Sequence, residues 1–221
     1  MLFCLPTVMA TMGAHQYARF AAPFRGERSV HAVPLPGFTA DERLPASLDA
    51  LVDALAEGVR RRAGEEAYGL VGYSSGGLLA HLVARRLESD EAKVAAVVLL
   101  DTSAPLPGGP VQVAPVVLAG MAARASELTP LDDARLTAMG SYLGLLEEWR
   151  YVPVEAPTLL VRAGVPVPGQ PGGEAWRAVW ERTHDAVEVP ADHFTMIEQS
   201  AEHTARAVRD WLDASNPHHP T

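Results

Sequence analysis

Six short, nearly continuous apolar runs alternate with longer segments of helical period, and that alternation leaves few folds open to this chain. The runs are 2–5, 30–35, 68–73, 94–100, 158–162 and 186–189. A strand that is apolar throughout, rather than at every second residue, is covered on both faces. With helical segments between the runs, the pattern is that of a parallel sheet with crossover helices. The clearest crossover lies between the second and third runs. Ser47 stands at its N-cap, Leu48, Leu51, Val52, Leu55 and Val59 share one face, and Gly64 suits the position after its last turn. Arg60, Arg61 and Arg62 fall in that last turn, where positive charge complements the helix dipole.

Residues 103–153 break the alternation. The turn-rich SAPLPGGP opens this stretch, and two helix-like segments follow, near 111–126 and 131–150, with no strand between them. Asp132 and Asp133 read as helix N-terminal residues. An α-only insertion in an α/β chain is a candidate lid over a site. The stretch 164–173, GVPVPGQPGG, is a loop by composition. The last helix, about 200–212, places Ala201, Ala205, Val208 and Trp211 or Leu212 on one face, and NPHHPT after it reads as a frayed tail. The expectation is one domain, 1–221, with a helical insertion at about 103–153.

Charge narrows the function classes. Lys plus Arg number 18 against 27 for Asp plus Glu, a net charge of −9, and no basic stripe is present for a nucleic acid to bind. Apolar residues make up 48% and charged residues 20%, which is ordinary for a folded globular chain. The longest uncharged apolar stretch, 113–123, contains Pro115 and Gly120, and it falls short of the roughly 18 residues a membrane span needs. The opening MLFCLPTVMATMGA lacks a basic leader and is interrupted by Pro6, so it reads as a first core strand rather than a signal peptide. A single cysteine, Cys4, can form no intrachain disulfide. These features together imply a cytoplasmic protein.

Chemistry concentrates in LVGYSSGGLL, residues 70–79. Gly72-Tyr73-Ser74-Ser75-Gly76 is a G-x-S-x-G motif set between an expected strand and an expected helix. Glycines two before and two after the serine permit the tight turn that lifts its hydroxyl above a sheet. The following helix aims its free N–H groups at charge developing near Ser74. Ser74 is therefore the candidate nucleophile; the alternative is a Gly/Ser-rich turn that holds a phosphate or nothing.

A serine nucleophile needs a base, and the base needs an orienting acceptor. Of eight histidines, His218 and His219 lie in the tail, His81 and His203 inside helices, His15 at the start of the first helix, His31 in a strand and His184 ahead of the last strand. His193 follows that last strand, at the sheet edge where Ser74 also projects, and is the candidate base. The strand 158–162 runs into AGVP without an acid, whereas 94–100 ends directly in Asp101. Asp101 is the candidate acceptor, and Asp192, adjacent to His193, is a loop former. The order Ser74, Asp101, His193 is the chain order of α/β-hydrolases. The backbone N–H of Ser75 supplies one oxyanion donor. The loop after the first strand supplies the other. Pro6 has none to give, so Thr7 is the first candidate, followed by Val8 and Met9.

With these residues in place, the chain resembles the terminal thioesterase domains of modular type I polyketide synthases over almost its whole length. The resemblance is carried by CLPTVMATMGAHQYARFAAPFRG, AVPLPGF, LVGYSSGGLLAHLVARRL, VVLLDT, LTAMGSY…EEWR and VPADHFTM. It implies an α/β-hydrolase fold, a mostly parallel central sheet flanked by helices and capped by a helical lid. The family roles then fall on Ser74, Asp101 and His193, and on the amides of Thr7 and Ser75. The implied activity is release of a polyketide acyl chain from the phosphopantetheine arm of an acyl carrier protein, by hydrolysis or macrolactonisation, with no metal and no bound cofactor. The implied partners are that carrier and the acyl substrate, with no nucleic acid and no membrane.

Two departures stand at the motif itself, Tyr73 where members often have His and Ser75 where they often have Ala; both bear on the pocket wall. Tyr73, Met9 and Phe194 are the candidate substrate contacts. Arg60–Arg62, Arg85 and Arg86 could meet an acidic carrier, or simply form a solvated helix face. Family members usually carry preceding apolar helices that pair two subunits, whereas this chain starts at its first strand; an excised domain is the expectation, with a homodimer left open. A discrete editing (type II) thioesterase and a small carboxylesterase share the same triad, and a non-catalytic docking module is the reading from another class.

Overall fold

All six apolar runs form strands of one sheet. In chain order the elements are β1 (Leu2–Leu5), α1 (Ala18–Ala21), β2 (Val30–Ala32), α2 (Leu48–Ala63), β3 (Tyr68–Tyr73), α3 (Ser75–Ser89), β4 (Val94–Leu100), α4 (Pro115–Ala122), α5 (Asp133–Leu146), β5 (Thr158–Ala163), β6 (Asp185–Val189) and α6 (Ala201–Ser215). The computed structural model describes residues 1–11, 13–39, 41–105, 113–126, 130–170, 173–180 and 184–215. The expected tail 216–221, most of the Gly/Pro turn after Ser103, the first two residues of the expected helix 111–126 and part of the loop 164–173 lie outside the described residues.

The strands are ordered β2-β1-β3-β4-β5-β6, and every neighbouring pair is parallel. From β1 the chain steps outward to β2 and then returns to the other side of β1 to lay down β3. Strand order therefore reverses between β1 and β3, and the crevice at their carboxyl ends is where a parallel sheet of this kind takes its ligand. Register brings those ends level: Leu5 lies beside Gly72, Tyr73 beside Leu100, Leu100 beside Val161 and Ala163 beside Val189.

Continuous apolar sequence and two-sided burial coincide in the interior of the sheet. Every residue of β1 and β3 is buried, and β4 and β5 each have one half-buried position. At the edges the expectation is corrected. β2 is half-buried along its length, and only Val189 of β6 is fully buried. An edge strand has one neighbour and fewer helices over it, so apolar content alone does not secure burial there.

Helix α2 follows its sequence signals closely. Ser47 Oγ accepts from the Ala50 N–H at 3.1 Å, Gly64 ends the helix at φ +59°, and Leu48, Leu51, Val52, Leu55 and Val59 are all buried. Fully burying a side chain of that kind contributes roughly 1.5–3 kcal/mol against exposure. The insertion is helical as expected, and no strand occurs in it among the described residues. Its helices are shorter than periodicity suggests. Pro115 opens α4 at a position where its missing N–H costs nothing. Asp132 caps α5, accepting from the Arg135 N–H at 2.9 Å. Helix α5 stops at Leu146 because Trp149 turns inward, 4% exposed, to pack against His81 and Trp180. In α6, Ala201, Ala205, Val208 and Leu212 are buried, and Trp211 lies at the margin with its Nε1 donating to Asp185 at 2.7 Å. Among the described residues no helix is long and apolar enough to cross a membrane.

Candidate active site

Between β3 and α3 the chain turns within a single residue. Ser74 holds φ +54°, left-handed backbone that a non-glycine residue keeps only when its surroundings enforce it. The surroundings do so. A Cβ on Gly72 would collide with the backbone of Gly76, and one on Gly76 would collide with the backbone of Leu5 and Pro6. Both glycines are thus required by close approach, the second because the loop after β1 runs against the start of α3. The Ser74 N–H continues the sheet ladder to the Leu100 carbonyl at 2.8 Å, and the Ser74 carbonyl accepts from Thr102 Oγ1 at 2.9 Å. Thr102 is a functional neighbour with no motif around it in the sequence. A threonine after a strand carries no signal of its own until the neighbouring turn is known.

Asp101 occupies the equivalent place one strand over, also with positive φ, at +46°. Its N–H bonds the Val161 carbonyl at 2.8 Å, Oδ1 accepts from the Ala163 N–H at 2.9 Å, and Oδ2 lies 2.7 Å from His193 Nδ1. The Asp101 and His193 side chains are only 8% and 14% exposed. An ionised carboxylate can only accept, so Nδ1 carries the hydrogen of this bond, and in the neutral imidazole Nε2 then has the lone pair. His193 is held by its backbone as well. The Tyr73 hydroxyl donates to the His193 carbonyl at 2.7 Å, and Asp192 Oδ1 accepts from the N–H groups of Phe194 and Thr195 at 2.9 and 2.8 Å. Asp192 is the loop former its position suggested.

The loop after β1 meets α3 through side chains. Ser75 Oγ lies 2.7 Å from Thr7 Oγ1 and accepts from the Val8 N–H at 3.1 Å. Of the three candidate donors in that loop, Val8 is therefore engaged, while the N–H of Thr7 takes no backbone acceptor among the described residues. The N–H of Ser75, at the first turn of α3, has no partner within the helix. Ser74, Ser75, Asp101 and His193 all border a cavity of about 280 Å³, together with Met9 and, from the insertion, Val117. No hydrogen bond joins the Ser74 and His193 side chains among the described residues; such contacts commonly tighten only once substrate is bound.

Two of the three candidate substrate contacts do not line this cavity. Tyr73 is 1% exposed and borders no part of the cavity, because its hydroxyl is committed to the His193 carbonyl. Phe194, 6% exposed, is turned away beneath α4 with the Arg124 guanidinium 3.9 Å from its ring centre. Met9 does line the cavity. The arginines considered for carrier docking are partly absorbed by ion pairs, Arg60 with Glu57 and Asp90, and Arg86 with Asp53 and Asp90. Among the described residues no group of three or more His, Cys, Asp or Glu side chains is placed to hold a metal ion.

A family model described as thioesterase domain matches residues 1–212. A polyketide synthase of Streptomyces halstedii, GfsE, is 49% identical over 215 residues, 96% of this chain and 6% of that protein. The erythronolide synthase EryA3 of Saccharopolyspora erythraea is 36% identical over 217 residues, 97% of this chain and 7% of its own length. The chain thus spans less than a tenth of these two relatives. Among solved structures, RedJ, a thioesterase from the prodiginine pathway of Streptomyces coelicolor, superposes with a TM-score of 0.68 at 23% identity, covering 96% of this chain and 88% of that one. The type II thioesterase BorB of the borrelidin cluster gives 0.66 at 25% identity, covering 96% and 90%. The first of these likenesses supports the α/β-hydrolase architecture, a parallel six-stranded sheet flanked by helices.

Proposed function

Because the chain belongs to the thioesterase-domain family, we propose that it releases a finished polyketide from an acyl carrier protein through an ester on Ser74. The observation that carries this reading is the His193–Asp101 pair, 2.7 Å apart and bordering the same cavity as the strained Ser74. Ser74 Oγ attacks the thioester carbonyl while His193 Nε2 takes its proton, and Asp101 steadies the imidazolium. The tetrahedral oxyanion is held by the N–H groups of Thr7 and Ser75. As the C–S bond breaks, the pantetheine sulfur leaves as a thiol with the proton from His193. Water, or a hydroxyl of the acyl chain itself, then attacks the Ser74 ester with His193 again as base. The product is a free acid in the first case and a macrolactone in the second. The acyl group arrives on the phosphopantetheine arm, and the protein needs no metal or bound cofactor of its own. The carrier in this reading belongs to the same megasynthase, as the relatives' own length suggests.

A second reading, a discrete editing enzyme, draws on the likeness to the type II thioesterase BorB. A docking module without activity is disfavoured because the nucleophile, base and acceptor are all present. The two enzymatic readings separate by substrate. Turnover of carrier-bound long hydroxyacyl chains well ahead of carrier-bound acetyl or propionyl groups is the expected result. The reverse preference would make this an editing enzyme.

A further inference from the structure

Arg124 follows the last turn of α4 and has no place in the reaction as described, yet each side of its guanidinium is used. Nε and Nη2 form a fork on the Glu198 carboxylate at 2.5 and 3.2 Å, Nη1 donates to the Gly120 carbonyl at 2.9 Å, and the plane covers the Phe194 ring at 3.9 Å. The Arg124 and Glu198 side chains are 29% and 27% exposed, so the pair is half-buried, and its fork geometry adds direction to the attraction. From the other side the Phe194 ring presses on the helix itself. A Cβ on Gly120 would overlap Phe194 Cε2 and Cζ, so any larger residue there has to push the Phe194 ring aside. Phe194 is thus gripped between the α4 backbone and the Arg124 plane. It is also the neighbour of His193, whose carbonyl is fixed by Tyr73.

We propose that Arg124 is a positioning residue: by clamping Phe194 and Glu198 to the lid helix, it sets the backbone of the histidine loop and so aims the His193 imidazole at Ser74. This rests on His193 being the base, as proposed above. The Tyr73 hydroxyl holds the loop from the sheet side and Arg124 holds it from the lid side. Val117, on the same helix as Gly120, borders the cavity. One helix therefore carries both a wall of the acyl site and the seat of the histidine loop. Misplacing a catalytic group by about 1 Å costs on the order of 10²-fold in rate, and that is the scale expected when the clamp is removed.

The test uses a fluorophosphonate, in which Ser74 Oγ forms a bond to phosphorus, fluoride leaves, and the hydroxyl proton passes to the base. Labelling rates are measured for the wild type, Arg124→Ala, Arg124→Lys, Gly120→Ala and His193→Ala. The kcat per labelled site and the KM are measured with a hydroxyacyl N-acetylcysteamine thioester. Arg124→Ala and Gly120→Ala are expected to slow both labelling and kcat by roughly 10- to 100-fold, with KM little changed. Arg124→Lys, which keeps the charge but not the planar fork, is expected to recover only a minor part. Gly120→Ala leaves the ion pair in place, so it carries the test even if Arg124→Ala folds poorly. Wild-type rates in both alanine variants, or full recovery by lysine, would overturn the inference. Equal labelling of the wild type and His193→Ala would instead overturn the reading of His193 as base, and the inference with it.

Discussion

Helices α3 and α4 flank the same cavity and use apolar sequence in opposite ways. Of the 15 residues of α3, nine are buried, including Leu78, Leu79, Val83 and Leu87, because the helix lies across the central strands. In α4, PVVLAGMA is the more apolar sequence, yet Met121 alone is fully buried and Leu118 is 38% exposed. Apolar content is a demand for burial, and what meets it depends on what lies opposite. For α3 it is the sheet. For α4 it is the histidine loop at Gly120 and the cavity at Val117. A helix left short of protein contacts beside a cavity is suited to receive an apolar acyl chain, and the proposed substrate supplies one.

Substitutions on the two sides of this divide differ in what they change. The largest effect belongs to the sheet edge. Asp101→Asn keeps the shape of the acceptor but favours the wrong imidazole tautomer, and kcat for thioester turnover should fall by about 10⁴-fold while the fold is retained. Leu99→Ala, at a fully buried position of β4, should cost about 2–5 kcal/mol in denaturant unfolding. His81 comes next. It is 1% exposed on α3, stacked on Tyr151 at 5.2 Å and edge-on to Trp180 at 5.3 Å, so it ties the end of the insertion to the sheet. Burial pushes its pKa from 6.5 down to about 4, and the Val152 backbone offsets this only in part. The unfolded chain thus takes up this proton more readily than the folded one. The native state keeps its full stability from His81 above pH 6.5 and loses it as pH falls toward 4. By pH 5 the loss from this group is about 2 kcal/mol, and His81→Phe should flatten that part of the stability–pH curve. The smallest effect falls on α4. Leu118→Ala should change unfolding free energy by no more than about 0.5 kcal/mol, the scale of an ordinary surface substitution.

The same divide governs how much could be read from the sequence. Strand positions, the capped helix α2 and the turn at Ser74 were legible because their signals are local: continuous apolar runs, Ser47 and Gly64 at the helix ends, two glycines around one serine. The placement of Asp101 and His193 was legible because each directly follows a strand or its short loop, and parallel strands bring those ends to one edge. The place of Tyr73 off the cavity has no local mark, because its hydroxyl partner, the His193 carbonyl, lies 120 positions away along the chain. The same holds for Phe194, which packs against Gly120 and Arg124, far from it in the chain. Helix α5 ends short of the periodic pattern because Trp149 docks on His81, a tertiary event with no local mark. Thr102 has no role in the sequence until the Ser74 carbonyl is placed beside it.

The most direct measurement is intact-protein mass spectrometry after mixing the protein with a hydroxyacyl N-acetylcysteamine thioester, with Ser74→Ala alongside. An added acyl mass on the wild type alone, with free acid or lactone accumulating, is the expected result. An equal adduct on Ser74→Ala, or no adduct and no turnover from folded wild type across several acyl lengths, would contradict an ester on Ser74 as the intermediate.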